Sequence, residues 1–132
     1  MINGARELAL RSLVRCEKEG RYSNIELGNT LDHAALSPED RGLYTRLVYG
    51  VTERRITLDT LIRRYVMKPM DKLTPEVLEV LRMGFYQIVY MNSVPDNAAV
   101  NESVELIKRL GEQKASGFVN RVLRHFLLVF IK

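Results

Sequence analysis

The chain has 132 residues, 46% hydrophobic and 27% charged, with 20 Lys and Arg against 16 Asp and Glu for a net charge of +4. That length removes about two-thirds of the unfolded surface from water, which suffices for one compact domain of ordinary globular composition. A lone cysteine, Cys16, excludes an internal disulfide and suits a reducing cytoplasm; no signal-peptide core precedes Arg6 and Glu7, and the longest apolar run, Phe126 to Ile131, is far short of the roughly 20 residues a membrane span needs.

Apolar residues recur with helical period through most of the chain, and nothing alternates as a strand hairpin does. The first helix, about residues 3–18, puts Ala5, Leu8, Ala9, Ser12, Leu13 and Cys16 on one stripe, which makes Cys16 a small core residue. Ser23, with Glu26 three residues on, is a capping-box pattern opening a short second helix with Leu27 and Leu31. Ser37-Pro38-Glu39-Asp40 combines a cap, a proline at the first helical position and acids at the positive end of the dipole. It starts a third helix with Leu43, Leu47, Val48 and Val51 inward. Around residues 56–58 the chain bends or restarts into a fourth helix carrying Leu58, Leu61, Ile62 and Tyr65, which Lys68-Pro69-Met70-Asp71 ends.

Thr74-Pro75-Glu76 opens a fifth helix through Met91. It is apolar on most sides, which places it at the centre of a domain. Val94-Pro95-Asp96 supplies a turn with Asp96 as the next N-cap. The sixth helix then has Val100, Val104 and Ile107 on one face, Lys108 and Arg109 in its last turn, and Gly111 as a left-handed stop. The seventh carries Ala115, Phe118, Val119, Val122, Leu123 and Phe126 at helical spacing. The expectation is an all-α domain of six to seven helices packed around the fifth, a single unit covering residues 1–132.

Charge is uneven along this chain. Residues 108–132 hold six Lys and Arg against Glu112, a net of +5, and residues 53–68 hold five against Glu53 and Asp59, a net of +3. Two basic zones on a balanced chain suit a phosphate-facing surface. Arg54 and Arg55 follow the third helix and Arg63 and Arg64 sit on the fourth; the planar guanidinium fork donates paired hydrogen bonds to phosphate. The competing reading is a solvated face with i,i+4 pairs such as Glu7–Arg11 and Glu17–Arg21. Asn101, Glu102 and Asn120 either read bases or, for the two asparagines, bond between helices or to helix ends. Tyr22, Tyr44, Tyr49, Tyr65, Phe85, Tyr86 and Tyr90 are assigned to packing ahead of base stacking.

Little points to catalysis. Gly42, Gly50, Gly84 and Gly117 stand singly in helical patterns, where they permit close helix packing, and no Gly-rich phosphate loop is present. His33 and His125 have no partners at a metal-ligand spacing, so no metal is expected. The apolar tail from Leu127 to Ile131 either continues the last helix into the core or meets a further domain or second copy.

ARELAL (Ala5–Leu10), GRYSNIEL (Gly20–Leu27), DRGLYTRLVYGVTERRITLDTLI (Asp40–Ile62), VLRMGFYQIVYMNSVP (Val80–Pro95) and VPDNAAVNESVELIKRLGEQKASGFVNRVLR (Val94–Arg124) follow in order over roughly residues 4–126. Together they resemble the NusB-like RNA-binding fold. More narrowly, they look like the N-terminal domains of ribosomal RNA cytosine-C5 methyltransferases of the RsmB (Sun, Fmu) family; LVYGV (Leu47–Val51) and AAVNESVEL (Ala98–Leu106) favour that family, while ARELAL is also similar to the antitermination factors. The resemblance implies a non-catalytic RNA-binding domain of a cytoplasmic small-subunit ribosomal RNA methyltransferase. Its partners would be ribosomal RNA and the C-terminal methyltransferase domain of the same protein. That separate Rossmann-like domain would supply the cysteine thiolates and bind S-adenosylmethionine; this chain would carry no cofactor.

The RNA-binding residues expected are Arg6, Arg54, Arg55, Arg63, Arg64, Lys108 and Arg109. Arg6 rests on the resemblance, as the arginine of an ARE start at the mouth of helix one, where NusB-like proteins contact RNA. The alternative is a stand-alone NusB-type antitermination factor binding RNA and a ribosomal protein. Against it, such factors place a run of arginines before the first helix, where this sequence has Met1-Ile2-Asn3-Gly4. A third reading is a domain that stabilises its enzyme without touching RNA.

Overall fold

A computed structural model describes residues 4–20, 23–33 and 35–130, without the side chains of residues 23–25, 32 and 33. The Ser23 half of the capping box, Tyr22, Arg21, the His33 side chain and the tail's Ile131 and Lys132 lie outside the described residues. Seven α-helices are present among those described, with no strand: α1 (Ala5–Glu19), α2 (Ser23–His33), α3 (Pro38–Glu53), α4 (Arg55–Tyr65), α5 (Pro75–Tyr90), α6 (Asp96–Arg109) and α7 (Ser116–Val129). The all-α expectation is met. The helices divide into two compact units, Met1–Glu53 and Arg54–Lys132.

In the first unit α1 packs on α2 and α3, which also pack on each other. Ser37 caps α3 as expected, its Oγ accepting from the Asp40 amide at 3.2 Å. The buried side of α1 is turned from the expected stripe: Leu10 is fully buried, whereas Leu8 and Cys16 are half-buried, so Cys16 is not a core residue. Polar groups occupy the interior here. The Ser12 hydroxyl lies 2.7 Å from that of Tyr44, and both residues are fully buried. Glu26 Oε2 accepts from Ser12 Oγ at 2.9 Å, Arg15 Nε at 3.0 Å and Thr30 Oγ1 at 3.1 Å.

Burial alone would raise the Glu26 pKa, but the bonds from Arg15, Ser12 and Thr30 outweigh it and hold the carboxyl below its ordinary value. The bond to Glu26 raises the Arg15 pKa in turn, and burial raises that of Tyr44. A carboxyl whose folded pKa is depressed adds stability that is present above its unfolded pKa and is lost as pH falls through the folded one. Urea titrations from neutral pH into the acid carboxylate range should therefore show a decline that Glu26→Gln flattens. At neutral pH the variant should be less stable by about 1.5–3 kcal/mol, the range for hydrogen bonds to a charged group. Parallel profiles for the two proteins would contradict this role.

The second unit begins with a break at Arg54 (φ −101°, ψ 15°), two residues before the expected bend. Ile56, within the expected bend, is instead in the first turn of α4 and 84% exposed. Thr74 caps α5 by accepting from the Val77 amide at 3.2 Å, and Pro75 occupies the first helical position. Around α5 pack α4, α6 and α7. The central placement of the fifth helix thus holds within this unit, while α1–α3 form the other.

Nearly every side chain from Val77 to Ile88 is buried, including three polar ones, Glu79, Arg82 and Gln87. Arg82 forks onto Asp59 of α4, with Nε to Oδ1 at 2.7 Å and Nη2 to Oδ2 at 2.8 Å, and its Nη1 donates to Glu79 at 2.7 Å. Close packing explains Gly84, where a Cβ would lie 2.9 Å from Leu123 Cδ2 and 3.2 Å from Ser103 Oγ. It does not explain Gly42 or Gly117, where a Cβ would meet nothing within 4 Å.

The N-cap of α6 is Pro95, in extended conformation, not Asp96. Asp96 lies one residue inside, where its carboxylate meets the positive end of the dipole instead of capping. At the other end Gly111 adopts φ 82°, and the Glu112 amide bonds Ile107 O while the Gly111 amide bonds Lys108 O, both at 3.1 Å. That pair of bonds is a Schellman motif, which needs a residue at ease in left-handed conformation. Aromatic rings fill the junction with α7: Phe85 stacks on Phe126 at 4.4 Å, and Tyr65 meets Phe126 edge-on at 5.3 Å. The tail divides. Phe130 stacks on Phe126 at 5.1 Å, whereas Leu128 is 84% exposed and Val129 about half exposed.

Candidate nucleic-acid interface

Two short pieces of backbone in the second unit bring the two basic zones together. The first is the last turn of α4 and the segment after it, with Arg64, Tyr65, Met67 and Lys68. The second is the one-turn helix Gln113–Ala115 leading into α7, where Lys114, Phe118, Arg121 and His125 recur at intervals of four, three and four residues and so share one face. These pieces line a cleft of about 670 Å³. Four of its lining residues are Lys or Arg and none is Asp or Glu.

The four cations Arg64, Lys68, Lys114 and Arg121 have no ion pair among the described residues, unlike Arg11, Arg15 and Arg82, each of which holds a carboxylate. Instead the Lys68 ammonium lies 5.2 Å and the Arg121 guanidinium 5.7 Å from the centre of the Phe118 ring. Both are within cation–π range. His125 meets Tyr65 edge-on at 5.2 Å beside them. Positive charge without counter-charge, on apolar aromatic walls, favours an anionic ligand.

Of the residues expected to bind RNA, only Arg64 enters this cleft. Arg63 is exposed beside it in the last turn of α4. Arg54 and Arg55 are exposed at the opposite end of that helix, roughly 14 Å away at 1.5 Å per residue. The Arg54 guanidinium lies 4.5 Å over the Tyr90 ring. Lys108 and Arg109 are exposed in the last turn of α6, Lys108 at 4.0 Å from Glu105. Arg6 is half-buried in the first turn of α1, in the other unit. Lys68, Lys114 and Arg121 belong to the basic zones without standing out in the sequence, and Phe118, placed by helical spacing on the apolar face of α7, is only half-buried. The signal was present in the 114–118–121–125 spacing, which marks a stripe both cationic and aromatic.

Asn101 is engaged between helices, as its structural reading expects, whereas the bond to Asn120 stays within its own helix. Arg124 donates to Asn120 Oδ1 within α7 at 3.0 Å and to Asn101 Oδ1 of α6 at 3.4 Å. The aromatic residues expected to pack do so at Tyr44, Phe85 and Tyr86, but Tyr49 is 45% exposed. The Glu7–Arg11 pair forms at 3.0 Å. No helix among the described residues is long and apolar enough to cross a membrane.

The seven-helix arrangement is that of the NusB proteins. Residues 3–127 match the NusB family, and the chain belongs to it. It is 40% identical over 119 residues to the Bacillus subtilis protein named probable ribosomal RNA small subunit methyltransferase B, an overlap of 90% of this chain but 26% of that protein. It is also 34% identical over 120 residues to the transcription antitermination protein NusB of Bacillus licheniformis, with 90% of each chain covered. The chain thus spans about a quarter of the length of the methyltransferases it matches. A crystal structure of the antitermination factors NusB and NusE with double-stranded RNA contains a chain of the same fold, with TM-score 0.85, 21% identity and 96% of both chains covered.

Proposed function

We propose that this chain is the RNA-binding domain of a small-subunit ribosomal RNA cytosine-5 methyltransferase, holding the RNA for a catalytic domain that is not part of it. The observation that carries RNA binding is the cleft of four Lys and Arg without a carboxylate, in a NusB-family domain. The methyltransferase setting is supported by the higher identity to those proteins, 40% against 34% for the antitermination proteins. Arg6, Arg54, Arg55, Arg63, Arg64, Lys108 and Arg109 are proposed to contact phosphates around the cleft and beyond it. S-adenosylmethionine carries a net positive charge, a sulfonium and an ammonium against one carboxylate, which four cations disfavour. In this reading the cofactor belongs to the catalytic domain.

A second reading has its own support. The chain covers 90% of an antitermination protein against 26% of the methyltransferase, which supports a factor acting with RNA and a ribosomal protein. One experiment separates the two. The catalytic part of the Bacillus subtilis methyltransferase, deprived of its own N-terminal quarter, is given S-adenosylmethionine and small-subunit ribosomal RNA with and without this chain. The proposal expects the chain to raise cytosine-5 methylation while binding no cofactor itself by calorimetry. Unchanged methylation, together with capture of NusE on double-stranded RNA, would favour the antitermination factor.

A further inference from the structure

The cleft between the end of α4 and the face of α7 has more structure than phosphate attraction requires. Lys68 and Arg121 are both held against one ring, Phe118, which is half-buried with no aromatic partner of its own among the described residues. Arg64 and Lys114 complete the rim. Four like charges around one concavity repel one another unless an anion enters. At about 670 Å³ the space falls within the roughly 300–1,000 Å³ of sites for small ligands, and it is concave. A duplex presents phosphates on a convex surface and hides its base faces in the stack. An unpaired nucleotide offers both at once: a phosphate on either side and a flat base face that stacks on an aromatic ring.

We propose that this cleft seats one unpaired nucleotide of an RNA strand, its phosphates among Arg64, Lys68, Lys114 and Arg121 and its base against the Phe118 ring. The inference rests on the RNA-binding reading and adds to it a strand state and a position. Lys68 and Arg121 keep the ring covered in the empty cleft and turn to the phosphates as the base takes their place. Exchanging cation–π contact for stacking plus charge-assisted bonds favours the occupied state.

The test uses the whole chain with a fluorescein-labelled single-stranded RNA, the same strand in a duplex, free nucleoside monophosphate and a glutamate-rich peptide as competitors. Phe118→Leu should weaken single-strand binding at least about fivefold, the lower end for loss of one stacked base, and change duplex binding less than about twofold. Because Phe118 is partly buried, a second variant lies on the surface: Lys68→Gln with Arg121→Gln should reduce the single-strand log–log salt slope by about 1.4, at roughly 0.7 per phosphate. Wild-type chain that binds neither RNA form removes the RNA reading and this inference with it. Wild-type chain that binds RNA while both variants match it leaves the RNA reading standing and overturns the cleft alone. Monophosphate that binds as tightly as the strand would overturn the strand as source, and a peptide that displaces RNA equally well would overturn the nucleotide.

Discussion

Replacing Arg82 by Leu is expected to cost about 3–5 kcal/mol of stability, the range for removing one partner of a buried ion pair. Arg82 is 3% exposed and Glu79 2% exposed, and both oxygens of Asp59 are held by the same guanidinium. Its loss takes away the guanidinium that the two carboxylates share at 2.7–2.8 Å. Desolvation and like-charge repulsion then act together, and water must enter or one acid must take up a proton. Removing one acid is less costly, since Arg82 keeps the other: Asp59→Asn or Glu79→Gln should each lose less than Arg82→Leu. Urea unfolding of the three variants at neutral pH measures this order. An Arg82→Leu loss under about 1 kcal/mol would mean the group is hydrated and contributes little.

That triad shows where sequence reading stops. A charged residue inside an apolar helical pattern reads as a solvated exception, and nothing in the local order of residues marks Asp59, 23 positions earlier, as the partner of Arg82. Glu26, buried against Ser12 and Arg15, is hidden for the same reason, since three residues after Ser23 it fits half of a capping box. Helix starts and stops were legible where the chemistry is local. Ser37-Pro38, Thr74-Pro75 and Gly111 each act on backbone groups within a few residues, and each falls where expected. Asp96 failed by one residue because proline, lacking an amide proton, can itself stand at the extended N-cap position. The candidate site was half legible. Composition marked both basic zones, but their meeting depends on α4 and α7 packing side by side, which periodicity within one helix cannot supply.

If the arginines of the first basic zone contact phosphate, replacing Arg54, Arg55, Arg63 and Arg64 together by Gln should change RNA binding more than any other surface substitution. Each phosphate neutralised adds about 0.7–0.9 to the log–log salt slope, so four lost contacts flatten it by about 2.8–3.6. At about 0.1 M salt the same release of counterions amounts to roughly a thousandfold in affinity, the upper limit if all four touch phosphate. The fold should survive, since all four side chains are exposed and exposed charges contribute little stability. Arg54 is the partial exception, because its guanidinium also covers Tyr90. Arg6→Gln, in the other unit, should weaken binding by the smaller amount of one contact if the mouth of α1 also meets RNA. Fluorescence anisotropy across a salt series reads slope and affinity in the same titration. Slopes unchanged in both variants, with the helical spectrum intact, would make these arginines ordinary solvated faces and put the purely structural role of the domain ahead.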